Sequence, residues 1–159
     1  MKKRQIDKGY LRELLTSEAT EGMISASVFV GTVKRFAEEY LGGAVLVTGN
    51  ELTGGMVSLR LPAVTYLIRL FCEYAKEDEV INIDFTLCDK LIMKVSFKDL
   101  DESEPVSELI KVGRLACFDV SRDDSSLIFE SEIFDNAPMK IYAISSDELM
   151  SMLVLTYKM

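Results

Sequence analysis

The chain contains no histidine and no tryptophan, and only three prolines and three cysteines in 159 residues. Each shortage removes a class of chemistry. Without histidine there is no imidazole to activate a nucleophile, to act as general acid or base near neutral pH, to ligate zinc, or to accept a phosphoryl group. Cys72, Cys88 and Cys117 are odd in number, widely spaced and set among apolar residues. They form neither a C-x-x-C pair nor a disulfide framework, and read as reduced thiols. No apolar run approaches the ~18 residues of a membrane span. The basic start, Met1-Lys2-Lys3-Arg4, is followed by no apolar stretch of the signal-peptide kind, so a cytoplasmic location away from membranes is expected. Positive charge is also scarce: 18 basic residues against 26 acidic ones give a net −8, which opposes non-specific binding to nucleic acid.

What is present is a hydrophobic fraction of 48%, enough for a core at a length that suits one domain. Residues 1–159 are expected to form a single domain, with 1–21 as an N-terminal extension and 22–159 as the core. The extension carries a small apolar set, Tyr10, Leu11, Leu14 and Leu15. Between Met23 and Leu41, the residues Ala26, Phe29, Val30, Val33, Phe36, Ala37 and Tyr40 recur at steps of three and four. That spacing predicts a helix with one apolar stripe, stopped by Gly42-Gly43. Ala44–Thr48 and Met56–Leu61 read as two strands framing a turn, a first hairpin.

Pro62 suits a first helical position, where its missing N–H costs nothing. The helix it opens runs to Lys76, with Val64, Leu67, Ile68, Phe71, Cys72 and Ala75 on its buried face. A second hairpin over Val80–Lys98 follows from strict alternation: Ile81, Ile83, Phe85 and Leu87, then Leu91, Met93, Val95 and Phe97. An acidic loop with Asp99, Asp101, Glu102 and Glu104 precedes a third helix, Pro105–Val120. Acids just before a helix suit its N-terminal dipole, and their spacing is not that of an EF-hand. The remainder is expected to be β: Leu127–Phe134, Met139–Ile144 and Leu149–Tyr157. The last of these is apolar on both faces, as a doubly buried strand or a partner-binding or homodimer face would be. Hairpins separated by helices, with one-sided strands, imply a two-layer α/β sandwich: a mixed, mostly antiparallel sheet with helices on one face.

This order resembles the ATP-binding domain of the GHKL superfamily, which includes the catalytic domain of sensor histidine kinases. The likeness spans residues 22–144 and lies in element order and apolar rhythm. It implies that Pro62–Lys76 is the helix whose asparagines hold Mg²⁺ and phosphates, and that Pro105–Val120 is the Gly-rich helix. The chain departs from the family at each functional position. Arg69 and Glu73 stand where the resemblance places asparagines. Val95-Ser96-Phe97-Lys98-Asp99-Leu100-Asp101 stands where it places Asp-x-Gly-x-Gly. Glu73 retains the oxygen chemistry Mg²⁺ prefers, and Asp99 is a substitute for the aspartate that reads adenine. Arg69 completes the set of cofactor-site candidates, which as a whole reads as a vestigial pocket. No glycine lies between Gly55 and Gly113, and none follows Gly113. A backbone that must approach phosphates closely needs several.

The expectation is therefore a non-catalytic regulatory or protein-interaction module in signal transduction, derived from a histidine-kinase-type ATPase fold. It has no cofactor and no metal, and its partner is a protein. The alternative is a divergent ATP/Mg-binding kinase acting on a partner, with Glu73 and Asp99 as substitutes. A third reading is a small-ligand sensor reusing the nucleotide cleft.

Overall fold

A computed structural model describes residues 22–49, 55–77, 80–97, 104–134 and 143–158. Five strands form the main sheet: β2 (Val45–Gly49), β4 (Ile81–Leu87), β5 (Lys90–Ser96), β6 (Asp119–Asp123) and β7 (Ser126–Glu132). Their spatial order is β2-β4-β5-β7-β6, with β2 parallel to β4 and every other pair antiparallel. A separate two-stranded sheet pairs β1 (Gly22–Ser25) with β3 (Met56–Leu59). The helices are α1 (Ala26–Tyr40), α2 (Leu61–Glu77), α3 (Glu104–Leu115) and α4 (Ser146–Tyr157).

Alternation along the strands decides which face is dry. Register aligns Phe85, Met93, Phe129 and Val120 in one row across β4, β5, β7 and β6. On that side, α1 sets Phe29 edge-on to Phe85, with centroids 5.9 Å apart. Helix α2 sets Phe71 against Phe129 at 5.7 Å. The opposite face is wet: Thr48, Asp84 and Lys94 are exposed neighbours in register, and Thr48 Oγ1 donates to Asp84 Oδ1 at 2.6 Å. The two-layer α/β sandwich with a mixed, mostly antiparallel sheet and helices on one face is thus observed. Helix α4 packs on α1 and α2. There Thr156 Oγ1 donates to the buried Thr65 Oγ1 at 3.2 Å, and Thr65 Oγ1 donates to Pro62 O at 3.0 Å.

The hairpin over Val80–Lys98 and the helix from Pro62 are observed as expected, within a residue or two at their ends. Other elements differ, each for a physical reason. The first helix does not begin at Met23: Gly22–Ser25 is strand β1, and Ser25 caps α1 by accepting from Val28 N at 3.4 Å. Ala44–Leu61 is not a hairpin. β2 reaches β4 by a crossover through β3 and α2, the kind of connection that parallel pairing requires. Gly49, at φ +140°, lies so close to β4 that an added Cβ would sit 2.7 Å from Phe85 Cβ. β3 instead buries Val57 and Leu59 beside the fully buried Ile24 of β1.

The third helix stops at Leu115, not Val120, because Cys117 adopts φ +77°. Phe118 N then bonds to Gly113 O and Cys117 N to Arg114 O, a Schellman stop that leaves Val120 in β6. Leu149–Tyr157 is a helix rather than a strand. Ser145 caps it, accepting from Glu148 N at 3.1 Å, and Leu149, Leu153 and Thr156 form its buried stripe. Of Met139–Ile144, residues 139–142 lie outside the described residues, and Ala143 and Ile144 are not in a strand. Residues 1–21 also lie outside them.

Candidate functional site

Helix α2 carries two of the three residues singled out from the sequence. Arg69 and Glu73 are one turn apart, so their side chains share a helical face. Arg69 Nε lies 3.5 Å from a Glu73 carboxylate oxygen, and the two side chains are 19% and 29% exposed. The basic residue precedes the acidic one, the weaker orientation for such a pair, and exposed pairs of this spacing contribute only about 0.3–0.5 kcal/mol. The pair therefore fixes the direction of two side chains more than it stabilises the helix. Its geometric consequence is that the Glu73 carboxylate is turned to a guanidinium of its own helix. Asp99, the third residue, lies outside the described residues.

Helix α3 packs beside α2 and holds the chain's last glycine. A Cβ at Gly113 would lie 2.5 Å from Phe129 Cε2, 2.8 Å from Phe129 Cδ2 and 3.0 Å from Val120 Cγ2. Real Cβ atoms do not approach carbon that closely, so this glycine is required by the contact of α3 with β7 and β6. Glu108, on the same helix, is only 14% exposed; its Oε1 lies 3.7 Å from Lys111 Nζ. Its Oε2 and Arg60 Nε are buried atoms with no hydrogen-bond partner among the described residues.

Sequence reasoning did not find Glu108. Its one signal was the i,i+3 spacing to Lys111, which many surface pairs share. The packing role of Gly113 had no local signal at all, since Phe129 is distant in sequence. Among the described residues, no group of three or more His, Cys, Asp or Glu side chains is placed to hold a metal ion. No helix among them is long and apolar enough to cross a membrane.

No protein-family model and no curated protein matches the sequence. Among solved structures the chain is similar to the Acinetobacter baumannii histidine kinase AdeS, with 14% identity, 82% of this chain and 77% of that chain covered, and a TM-score of 0.48. It is similar also to the cytoplasmic segment of histidine kinase QseC, with 13% identity, 84% and 98% covered, and a TM-score of 0.47. A third likeness is to the histidine kinase domain of the E. coli osmosensor EnvZ, with 9% identity, 75% and 91% covered, and a TM-score of 0.43.

Proposed function

We propose that the chain is a non-catalytic, cytoplasmic regulatory or protein-interaction module in signal transduction, built on a histidine-kinase-type ATPase scaffold and working without ATP. The observation that carries it is the Arg69–Glu73 pair: the two residues that stand where the resemblance implies asparagines are turned to each other at 3.5 Å. Loading Mg²⁺ on Glu73 would require breaking that contact beside a guanidinium that repels the cation. Gly113 supports the same reading. The Phe129 ring fills the space a Cβ would take, so packing alone accounts for this glycine without a phosphate. The absence of histidine supports a partner protein over self-phosphorylation.

Calorimetric titration with Mg-ATP, with a fluorescent ATP analogue in parallel, tests this. No saturable binding is expected. Micromolar binding that Glu73→Ala abolishes would overturn the proposal in favour of a divergent kinase acting on a partner. If ATP leaves the melting temperature unchanged while a small apolar compound raises it, a ligand sensor replaces the interaction module.

A further inference from the structure

Helix α4 has the composition of an interior helix. Leu149, Leu153 and Thr156 form its buried stripe, and Met150, Met152, Val154, Leu155 and Tyr157 continue the apolar surface around its other sides. From Met150 to Tyr157 only Ser151 and Thr156 are polar. A helix apolar all round is ordinarily covered all round. Yet Leu155 is 70% exposed, the most exposed large apolar side chain among the described residues.

The chain enters the described fold close to this helix. Ile144 N donates to Met23 O at 2.8 Å, and a Cβ at Gly22 would sit 3.5 Å from Ile144 Cγ1. Residues 1–21 are thus tethered beside Ile144, two residues before α4 begins at Ser146. The stretch 16–21 reaches at most about 20 Å when extended. A helix over 6–15 would be about 14 Å long, as is the path along α4 from Ser146 to Leu155. Within 6–15, Ile6, Tyr10 and Leu14 recur at every fourth residue, and Leu11 and Leu15 widen the same stripe.

We propose that residues 6–15 form an amphipathic helix that lies on the outer face of α4, antiparallel to it, and covers Leu155. Attachment selects this occupant. The stretches 50–54, 78–79, 98–103 and 135–142 are each held at both ends by described elements, whereas 1–21 continues from Gly22 alone and is free to follow α4 along its length. Charge selects it too. Residues 1–12 carry Lys2, Lys3, Arg4, Lys8 and Arg12 against Asp7, while residues 22–159 carry 13 basic and 22 acidic side chains. Helix α1 ends in the exposed Glu38 and Glu39 with no basic residue in its last turn. Phe36 of α1, edge-on to Tyr157 at 5.7 Å, sets that acidic end beside the end of α4. An antiparallel segment carries Lys2, Lys3 and Arg4 toward those carboxylates and the negative pole of α1. Because the segment is tethered, its local concentration is on the order of millimolar, and a modest apolar contact is enough to hold it. The covering needs no property of Arg69, Glu73 or Gly113, so it and the proposed function stand or fall separately.

Hydrogen exchange read by mass spectrometry on the full 159-residue chain, at several protein concentrations, tests the assignment. The variants are Leu11→Lys combined with Leu14→Lys in the segment, Leu155→Lys on α4, and, as a control, Leu46→Lys on the wet face of the sheet, where Leu46 is 47% exposed. Circular dichroism verifies that each is folded. Lysine is a good helix former, so Leu155→Lys leaves α4 intact and tests the contact alone. In the wild type, amides within 6–15 are expected to exchange at least about tenfold slower than in an unstructured peptide of the same sequence, at every concentration. The segment variant and Leu155→Lys should both lose that protection, and Leu46→Lys should keep it. Unprotected exchange over 6–15 in the wild type would overturn the proposal. So would protection that Leu155→Lys or the segment variant leaves intact, or that Leu46→Lys removes. Protection that appears only as concentration rises would assign the segment to a second copy and overturn it equally.

Discussion

Gly113→Ala separates two reasons for a glycine in α3: room for a ligand, or room for a neighbour. A helical glycine that serves neither is improved by alanine, typically by about 1 kcal/mol, because the unfolded chain loses freedom. Here the new methyl group would sit 2.5 Å from Phe129 Cε2, about 1 Å inside the carbon–carbon optimum. The ring cannot easily yield. Phe129 is fully buried and edge-on to Phe71 at 5.7 Å and to Phe118 at 5.9 Å. Overpacking of this kind costs about 1–3 kcal/mol and offsets the helical gain of about 1 kcal/mol, leaving a net loss of up to about 2 kcal/mol. For a chain of this length that lowers the melting temperature by up to about 8 °C. Urea unfolding should show a lower midpoint at unchanged slope. Combining the change with Phe129→Leu, which removes the offending ring edge, should recover part of the loss as a favourable coupling of about 0.5–3 kcal/mol. If Gly113→Ala alone raised the melting temperature, the packing account would be refuted, and the glycine would be free to serve a ligand.

Substitutions at two further positions address the elements that differ from sequence expectation. Cys117 holds φ +77° at the end of α3, a region that costs a non-glycine residue about 1 kcal/mol, so Cys117→Gly should raise the urea midpoint and Cys117→Val should lower it. Ser145→Ala removes the side chain that accepts from Glu148 N at 3.1 Å and donates to Glu148 Oε1 at 3.1 Å. A loss of about 0.5–2 kcal/mol is expected, with Ser145→Asn retaining most of the stability in thermal melts. An unchanged melt for Ser145→Ala would argue against α4 being a capped helix.

Legibility in the sequence followed how local each determinant is. β4 and β5 were readable because one face is wet, so Asn82, Asp84 and Thr86 interrupt the buried residues at every second position. α2 was readable from its apolar face and from Pro62. The partner of β2 was not readable, because nothing in Val45–Gly49 distinguishes pairing with the next strand from pairing with the one after it. The end of α3 was missed because the left-handed residue is a cysteine where glycine is the usual signal. In the last segment, Leu149, Met150, Met152, Leu153, Val154 and Leu155 satisfy period two and a helical period alike. The spacing of Ser145 and Glu148 was the local sign that favoured a helix. At the candidate site, the Arg69–Glu73 contact was foreseeable from one turn of spacing. The Phe129–Gly113 contact was not, since it depends on where β7 lies beneath α3.

These two contacts have a joint consequence. Glu73 of α2 and Gly113 of α3 are the residues whose chemistry comes nearest to serving a phosphate-bound cation, and each is already engaged inside the molecule. Glu73 answers Arg69, and Gly113 answers Phe129. Using either for a ligand would unmake a contact that directs two side chains of α2 or one that seats α3 on the sheet. The main sheet shows the opposite pattern at β2, where the backbone groups of Val45 and Val47 and the side chain of Leu46 have no such internal partner among the described residues. Backbone groups left outward on an uncharged strand gain hydrogen bonds from a second strand without giving up any they already make within the sheet. Pairing at the β2 edge would therefore disturb fewer of the described contacts than ligand binding at Glu73 or Gly113.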